Sequence, residues 1–171
     1  MSKQHCFSIS KMNPARRSTL RPLLQTSWSE TYVPELGQDI VAELVETLAH
    51  EDIGGLIPNN DETVFVAKHQ NQICGCSVSA ARNGVTYLWG FYILREFQRM
   101  GIGQRLLKKA VLEHDHANSA QLTVLTSSTA AVKFYSTAGF KPQGKTEFEI
   151  FPGQQLPAIQ MSASVREITH K

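Results

Sequence analysis

Gln98-Arg99-Met100-Gly101-Ile102-Gly103 is the stretch whose reading decides the architecture of this chain. It stands between a β-rich apolar run ending at Leu94 and a segment, residues 102–114, in which Ile102, Leu106, Leu107, Ala110 and Val111 recur at helical spacing. Gln104, Arg105, Lys108, Lys109 and Glu113 fill the other face of that helix. A glycine-rich turn from strand to helix suits a phosphate. Glycines let the backbone approach an anion, several N–H groups point into one concavity, and the helix start adds a favourable dipole. The plainer alternative is a helix cap with no ligand. Neither common nucleotide turn is present: a P-loop needs Gly-x4-Gly-Lys-Ser/Thr, a Rossmann turn needs three glycines after a first strand, and Gln104 and Arg105 complete neither.

Upstream of this turn, Asn83-Gly84 separates two β-rich runs and predicts a type I′ hairpin. Thr63–Lys68, Ile73–Ala81 and Val85–Leu94 therefore read as an antiparallel meander. Further upstream, Phe7–Met12 reads as a first strand, followed by Asn13-Pro14 as a helix cap and first-turn proline. Pro22 either kinks the helix that follows or begins it, with Leu23, Leu24, Ser27 and Trp28 on its inner side. Ile40, Val41, Leu44, Val45 and Leu48 predict an amphipathic helix over 38–50. Downstream come a β-rich run Gln121–Thr126 and a helix with Ala131, Phe134, Tyr135 and Ala138 on one face, capped by Ser127 or Ser128 and stopped by Gly139. Two final strands are read near Lys145–Phe151 and Ala158–Val165, parted by Pro152-Gly153 and Pro157. The order β, α, α, β, β, β, α, β, α, β, β predicts an α/β fold, a mixed sheet flanked by helices.

The turn resembles the Gln/Arg-x-x-Gly-x-Gly/Ala signature of the GNAT superfamily of acyl-CoA-dependent N-acetyltransferases. Tyr92-Ile93-Leu94-Arg95-Glu96-Phe97 is similar to the strand end that precedes it in that family. Ala131-Val132-Lys133-Phe134-Tyr135-Ser136-Thr137-Ala138-Gly139-Phe140 resembles the second signature, Ala-x-x-Phe-Tyr-x-x-x-Gly-Phe, at the family's usual separation. The likeness covers roughly residues 62–165 and implies a twisted, mostly antiparallel sheet of about seven strands with four helices. It also implies a V-shaped gap between the fourth and fifth strands. Residues 1–171 are expected to form a single domain.

This resemblance implies acetyl-CoA as cosubstrate. The backbone of Arg99, Met100, Gly101, Ile102, Gly103 and Gln104 would hold the pyrophosphate, Ile93 and Leu94 the pantetheine arm, and Gln98, Ser128 and Phe134 would also touch the cofactor. A backbone N–H near Leu94 would polarise the acyl carbonyl, and Tyr135 would be the acid that protonates the departing thiolate. A purely packing role is the alternative for Tyr135. Two departures stand out. Ser128 occupies a position where many relatives have Asn, and Val85–Leu94 holds no Asp, Glu or His to act as base. A water chain, Glu30 or Glu149 would take the amine proton instead.

Charge is distributed unevenly behind a net +2. Residues 1–29 hold Lys3, Lys11, Arg16, Arg17 and Arg21 with no acid; residues 30–67 hold nine acids with no Lys or Arg; the remainder is basic. Opposite blocks suggest two differently charged ligands. In the resembling family the acceptor is held by the first two helices, their loop and the late hairpin. Trp28, Glu30, Tyr32 and Trp89 are thus the candidate contacts for an amine acceptor, a cationic one such as a polyamine-like molecule, a lysine or a peptide N-terminus. Asp39, Glu43 and Glu46 read as a solvated helix face. An acyl-CoA-binding sensor without turnover is the competing function. Five N-terminal cations without interleaved aromatics argue against nucleic acid as partner.

No apolar stretch approaches the roughly 20 residues a membrane helix requires, so no membrane association is expected. The segment Met1–Cys6 lacks the apolar core of a secretion signal, which points to a cytoplasmic protein. Cys74-Gly75-Cys76 would face one side of a strand, and with no second cluster the thiols read as packing and no metal is expected. His114 and His116 read as exposed helix-end residues. The resemblance implies a monomer or a homodimer.

Overall fold

The computed structural model describes residues 6–171; Lys3 and the rest of Met1–His5 lie outside them. Seven strands form one sheet in the order β1-β2-β3-β4-β5-β7-β6. They are β1 Phe7–Lys11, β2 Thr63–His69, β3 Gln72–Arg82, β4 Val85–Ile93, β5 Ser119–Leu125, β6 Lys141–Phe151 and β7 Gln154–Ser164. The helices are α1 Arg21–Leu36, α2 Gln38–Glu46, α3 Ile102–Leu112, α4 Thr129–Thr137 and α5 Val165–Thr169. The seven-stranded mixed sheet with flanking helices is the expected fold. β4 and β5 are parallel, whereas β1–β2, β5–β7 and β6–β7 are antiparallel. The β4–β5 register runs only from Val85↔Ser119 to Leu88↔Leu122, although β4 continues to Ile93 and β5 to Leu125.

Local chemistry accounts for the boundaries. Asn13 Oδ1 accepts from Ala15 N at 2.9 Å and caps a 3-10 stretch, Pro14–Leu20. Pro22 lies in the first turn of α1, so the helix begins there and is not kinked by it. The helix read over 38–50 is α-helical only to Glu46 and tightens to 3-10 over Thr47–Ala49. Asn83 and Gly84 have φ of 53° and 78°, as a type I′ turn needs.

The late strands differ from the reading of the sequence. β6 begins at Lys141 and β7 at Gln154, so Pro157 sits inside a strand instead of ending one. The Pro157 carbonyl accepts from Thr126 N at 3.0 Å. Its ring nitrogen therefore turns to that same edge, and the ladder to β6 loses nothing. Ser164 does not continue the strand into residue 165; it caps the extra helix α5 in a capping box with Glu167.

Contacts group the chain into two compact units, the residues up to Val78 with Gly90–Ala110, and Ser79–Trp89 with Val111–Lys171. The first packs Leu20, Leu24, Val41, Ile53, Val66, Ile102 and Leu106 in its interior; the second packs Val111, Leu122, Phe140, Met161 and Ile168.

Candidate active site

The turn after β4 has the backbone of an anion cradle. Arg99 and Gly101 adopt positive φ, 63° and 81°, and nothing lies within 4 Å of where a Cβ on Gly101 would stand. Arg105 N donates to Gly101 O, closing the first turn of α3. The N–H groups of Ile102, Gly103 and Gln104 consequently have no carbonyl one turn back within the helix. Arg99, Met100 and Gly101 are exposed, Gly103 is half-buried, and Ile102 is buried as an anchor. Phe97 holds the loop from below, edge-on to Phe7 with centroids 6.1 Å apart. Gln98 does something the sequence did not suggest: its Nε2 donates to Ile93 O at 2.9 Å and closes the loop onto the strand end.

The strand end narrows one expectation. Leu94 N donates to Cys74 O at 2.9 Å. That N–H is committed to β3 and is not available to polarise an acyl carbonyl. Because successive residues of a strand turn their amides to opposite edges, the N–H of Ile93 faces away from β3. Ile93 is therefore the residue whose amide is aimed at the unpaired edge of β4. Gly90, with φ 57°, lies upstream against Val78 and Leu56.

Tyr135 is buried in α4, with Phe134 edge-on at 5.2 Å and Phe140 at 5.6 Å. Desolvation pushes its pKa well above the ordinary phenol value. At neutral pH it is a proton donor, never a phenolate. Ser128 stands at the N-cap of α4, but its hydroxyl makes no capping hydrogen bond. Ser128 is thus the expected N-cap by position, with its side chain not spent on the helix.

In the first unit, Trp28 and Tyr32, four residues apart on α1, share a face. Tyr32 Oη lies 3.1 Å from Tyr92 Oη, and the Trp28 ring stands edge-on to Tyr92 with centroids 6.5 Å apart. Burial raises the pKa of both phenols; for Tyr92 the neighbouring Tyr32 adds to it. The pair is neutral and shares one O–H between the two oxygens, which leaves one O–H and lone pairs for a further partner. Tyr92 is the residue whose importance the sequence concealed, because its partner is 60 residues away.

The other acceptor candidates, Glu30 and Trp89, lie one in each unit. Glu30 is exposed on α1. Trp89 belongs to the second unit, and the guanidinium of Arg82 lies 5.9 Å from its ring centre. The cation contact expected of Trp89 is supplied by the chain itself. Within the acidic block, Asp39, Glu43 and Glu46 are exposed, as a solvated face should be. Asp52 Oδ1 and Glu62 Oε2 are instead sealed from solvent and have no hydrogen-bond partner. The Asp52 loop packs on α1 at Gly54, whose Cα hydrogens face the Trp28 ring.

Cys74 and Cys76 are buried and donate to Ala67 O and Gly90 O, as packing thiols do. Among the described residues, no three His, Cys, Asp or Glu side chains converge as metal ligands. His114 contradicts its reading: it is buried, with Nε2 3.0 Å from Ser79 Oγ, while His116 is exposed. His114 lies two residues past the end of α3, at i+7 from Leu107 and i+3 from Val111, and the chain leaving the helix keeps to its inner side.

The first unit thus carries a glycine turn at a helix start beside an outward-facing strand amide, and the second carries a buried tyrosine on α4. Residues 32–161 match the family model described as acetyltransferase (GNAT) domain, and the chain belongs to that family. Solved structures share the fold. The PaiA N-acetyltransferase of Thermoplasma acidophilum, in complex with coenzyme A, is 19% identical with a TM-score of 0.77, covering 93% of this chain and 99% of that one. The ribosomal-protein-S18-alanine N-acetyltransferase of Escherichia coli is 15% identical with a TM-score of 0.67, covering 94% of each chain. A GNAT family acetyltransferase of Elizabethkingia anophelis with acetyl-CoA bound is 16% identical with a TM-score of 0.61, covering 95% and 99%.

Proposed function

We propose that this chain is an N-acetyltransferase that moves the acetyl group of acetyl-CoA to a primary amine. The observation that carries the reading is the turn Gln98–Gly103, whose open Gly101 side and unpaired helix-start amides fit a pyrophosphate. The coenzyme A and acetyl-CoA bound in two structural relatives support it. Residues 1–171 act as one functional domain. Arg99, Met100, Gly101, Ile102, Gly103 and Gln104 hold the pyrophosphate, Gln98 braces the turn, Ile93 and Leu94 line the pantetheine path, and Ser128 and Phe134 lie along the cofactor. The amine nitrogen attacks the thioester carbonyl, the C–S bond breaks, and Tyr135 gives its proton to the departing sulfur. The amine attacks as the neutral base after its ammonium form has released one proton to solvent, and the second proton, lost on acylation, returns to Tyr135 through solvent, which balances the cycle. The Ile93 amide serves the carbonyl oxygen while charge builds on it.

The acceptor is a cationic amine. One oxygen of Asp52 and one of Glu62 are sealed from solvent without a hydrogen-bond partner, although the other Glu62 oxygen accepts from Asn59 N at 3.0 Å, and a cation beside such an oxygen offsets its desolvation. Trp28 and Tyr32 supply aromatic walls, and the Tyr32–Tyr92 pair an acceptor for the N–H. Glu30 adds to the attraction at the surface.

The test is acetyl-CoA consumption, read by thiol release, across polyamines, aminoglycosides, amino acids and lysine-bearing peptides, with wild type and Tyr135→Phe in parallel. A cationic amine is turned over, and the variant loses more than about tenfold in kcat at nearly unchanged KM for acetyl-CoA. Tight acetyl-CoA binding with no acceptor consumed overturns the reading in favour of an acyl-CoA sensor, the alternative that the acid-free β4 strand keeps open.

A further inference from the structure

The basic block of residues 1–29 has no part in the reaction described above. Two of its members are structural. Arg17 Nη1 donates to Asn60 Oδ1 at 2.9 Å, and Arg21 holds Leu48 O and Ala49 O at 2.7 and 3.2 Å. Lys11 and Arg16 go elsewhere. They line a cavity of about 620 Å³ in the first unit, and Lys68 of β2 joins them. Ser10, Asn71 and Gln72 add polar groups at its wall; Leu23, Val66 and Leu94 give it an apolar floor. Among the described residues, none that lines it is acidic. Its volume lies in the range of pockets that hold small organic ligands.

We infer that this cavity is a second ligand site, which takes a small organic phosphate. The warrant is the convergence of charge. Arg16 and Lys68 line one cavity, and neither is neutralised by a side chain or carbonyl of the described residues. A dianion answers this: the guanidinium fork of Arg16 grips two phosphate oxygens, and the ammonium of Lys68 meets the third. The amide and hydroxyl groups of the wall suit ester or hydroxyl oxygens, and the apolar floor suits a short carbon skeleton. Among residues assigned to the acetyl-CoA path only Leu94 also lines this cavity, so the inference stands whether or not transfer occurs.

The experiment is isothermal titration of the full chain with inorganic phosphate and with glycerol 3-phosphate, after saturation with coenzyme A to fill the Gln98–Gly103 turn. Both phosphates bind saturably, the ester more tightly. The Arg16→Gln, Lys68→Gln double variant weakens binding at least about tenfold, whereas Arg17→Gln, which removes an equal charge one residue away from the lining, changes it less than about twofold. Amide chemical shifts of the wild type on phosphate addition move at Ser10, Asn71 and Gln72, a readout that needs no variant to fold. Loss of all phosphate binding once coenzyme A is present overturns the inference. So does an equal effect of Arg17→Gln, or binding of citrate with neither phosphate bound.

Discussion

Gly90 and Gly101 lie eleven residues apart in the same unit, both in the left-handed region, yet for opposite reasons. At Gly90 a Cβ would stand 2.8 Å from Val78 Cγ2 and 3.3 Å from Leu56 Cδ2. At Gly101 it would meet nothing within 4 Å. The first glycine is required by what the protein already packs against it. The second leaves room that the protein itself does not fill. Positive φ alone therefore does not mark a ligand site; positive φ beside open space and unpaired amides does.

Substitution by alanine separates the two cases. Gly90→Ala incurs left-handed strain of about 1–2 kcal/mol and overpacking of about 1–3 kcal/mol. Urea unfolding should show a loss of about 2–5 kcal/mol in all. A loss below about 1 kcal/mol would mean that Val78 and Leu56 yield, and the strand is less tightly packed than the geometry states.

Gly101→Ala is the smaller change in stability and the more specific one in binding. It meets no neighbour, so only the strain of about 1–2 kcal/mol applies. The added methyl occupies the open side of the turn and should weaken coenzyme A by about tenfold, as measured by titration calorimetry. If coenzyme A binds Gly101→Ala and wild type equally, the phosphate does not approach the turn from the Gly101 side, and the contrast with Gly90 loses its functional half.

How much of this could be read in the sequence follows the distance between partners. The turn is legible because its glycines, its arginine and the helix it opens are neighbours in the chain. Tyr135 is legible because Ala131, Phe134 and Ala138 mark the register of its helix. Asn83-Gly84 fixes the meander for the same reason. The Tyr32–Tyr92 pair joins α1 to β4 across sixty residues, and no local pattern announces it. Ile93 had to be distinguished from Leu94 by which edge its amide faces, a matter of sheet register and not of residue type. The beginning of β6 was hidden because Lys141–Glu149 is exposed on both faces and shows no alternation. Two further signals are local in the chain. His114 continues the Leu107, Val111 stripe of α3, and Ser164-Val165-Arg166-Glu167 spells the capping box that starts α5.

The thiols carry the contrast of packed and open surroundings to its smallest scale. Cys6 is exposed, while Cys74 and Cys76 are buried in β3. Burial pushes the Cys76 thiol up to about 12 and raises Cys74 as well. A raised thiol pKa disfavours the thiolate, the form that reacts, so both strand thiols stay protonated and shielded at pH 8. A disulfide reagent added to native protein should modify one thiol rapidly and all three only after unfolding. The sign for stability follows. Above the ordinary thiol value of about 8.5, the unfolded chain releases a proton that folded Cys76 keeps. Folding is thus progressively disfavoured as pH rises from there towards about 12. Cys76→Ala should flatten that decline. Rapid modification of a second thiol in native protein would show that β3 opens next to Gly90, and the walled glycine would then be no more enclosed than the open one.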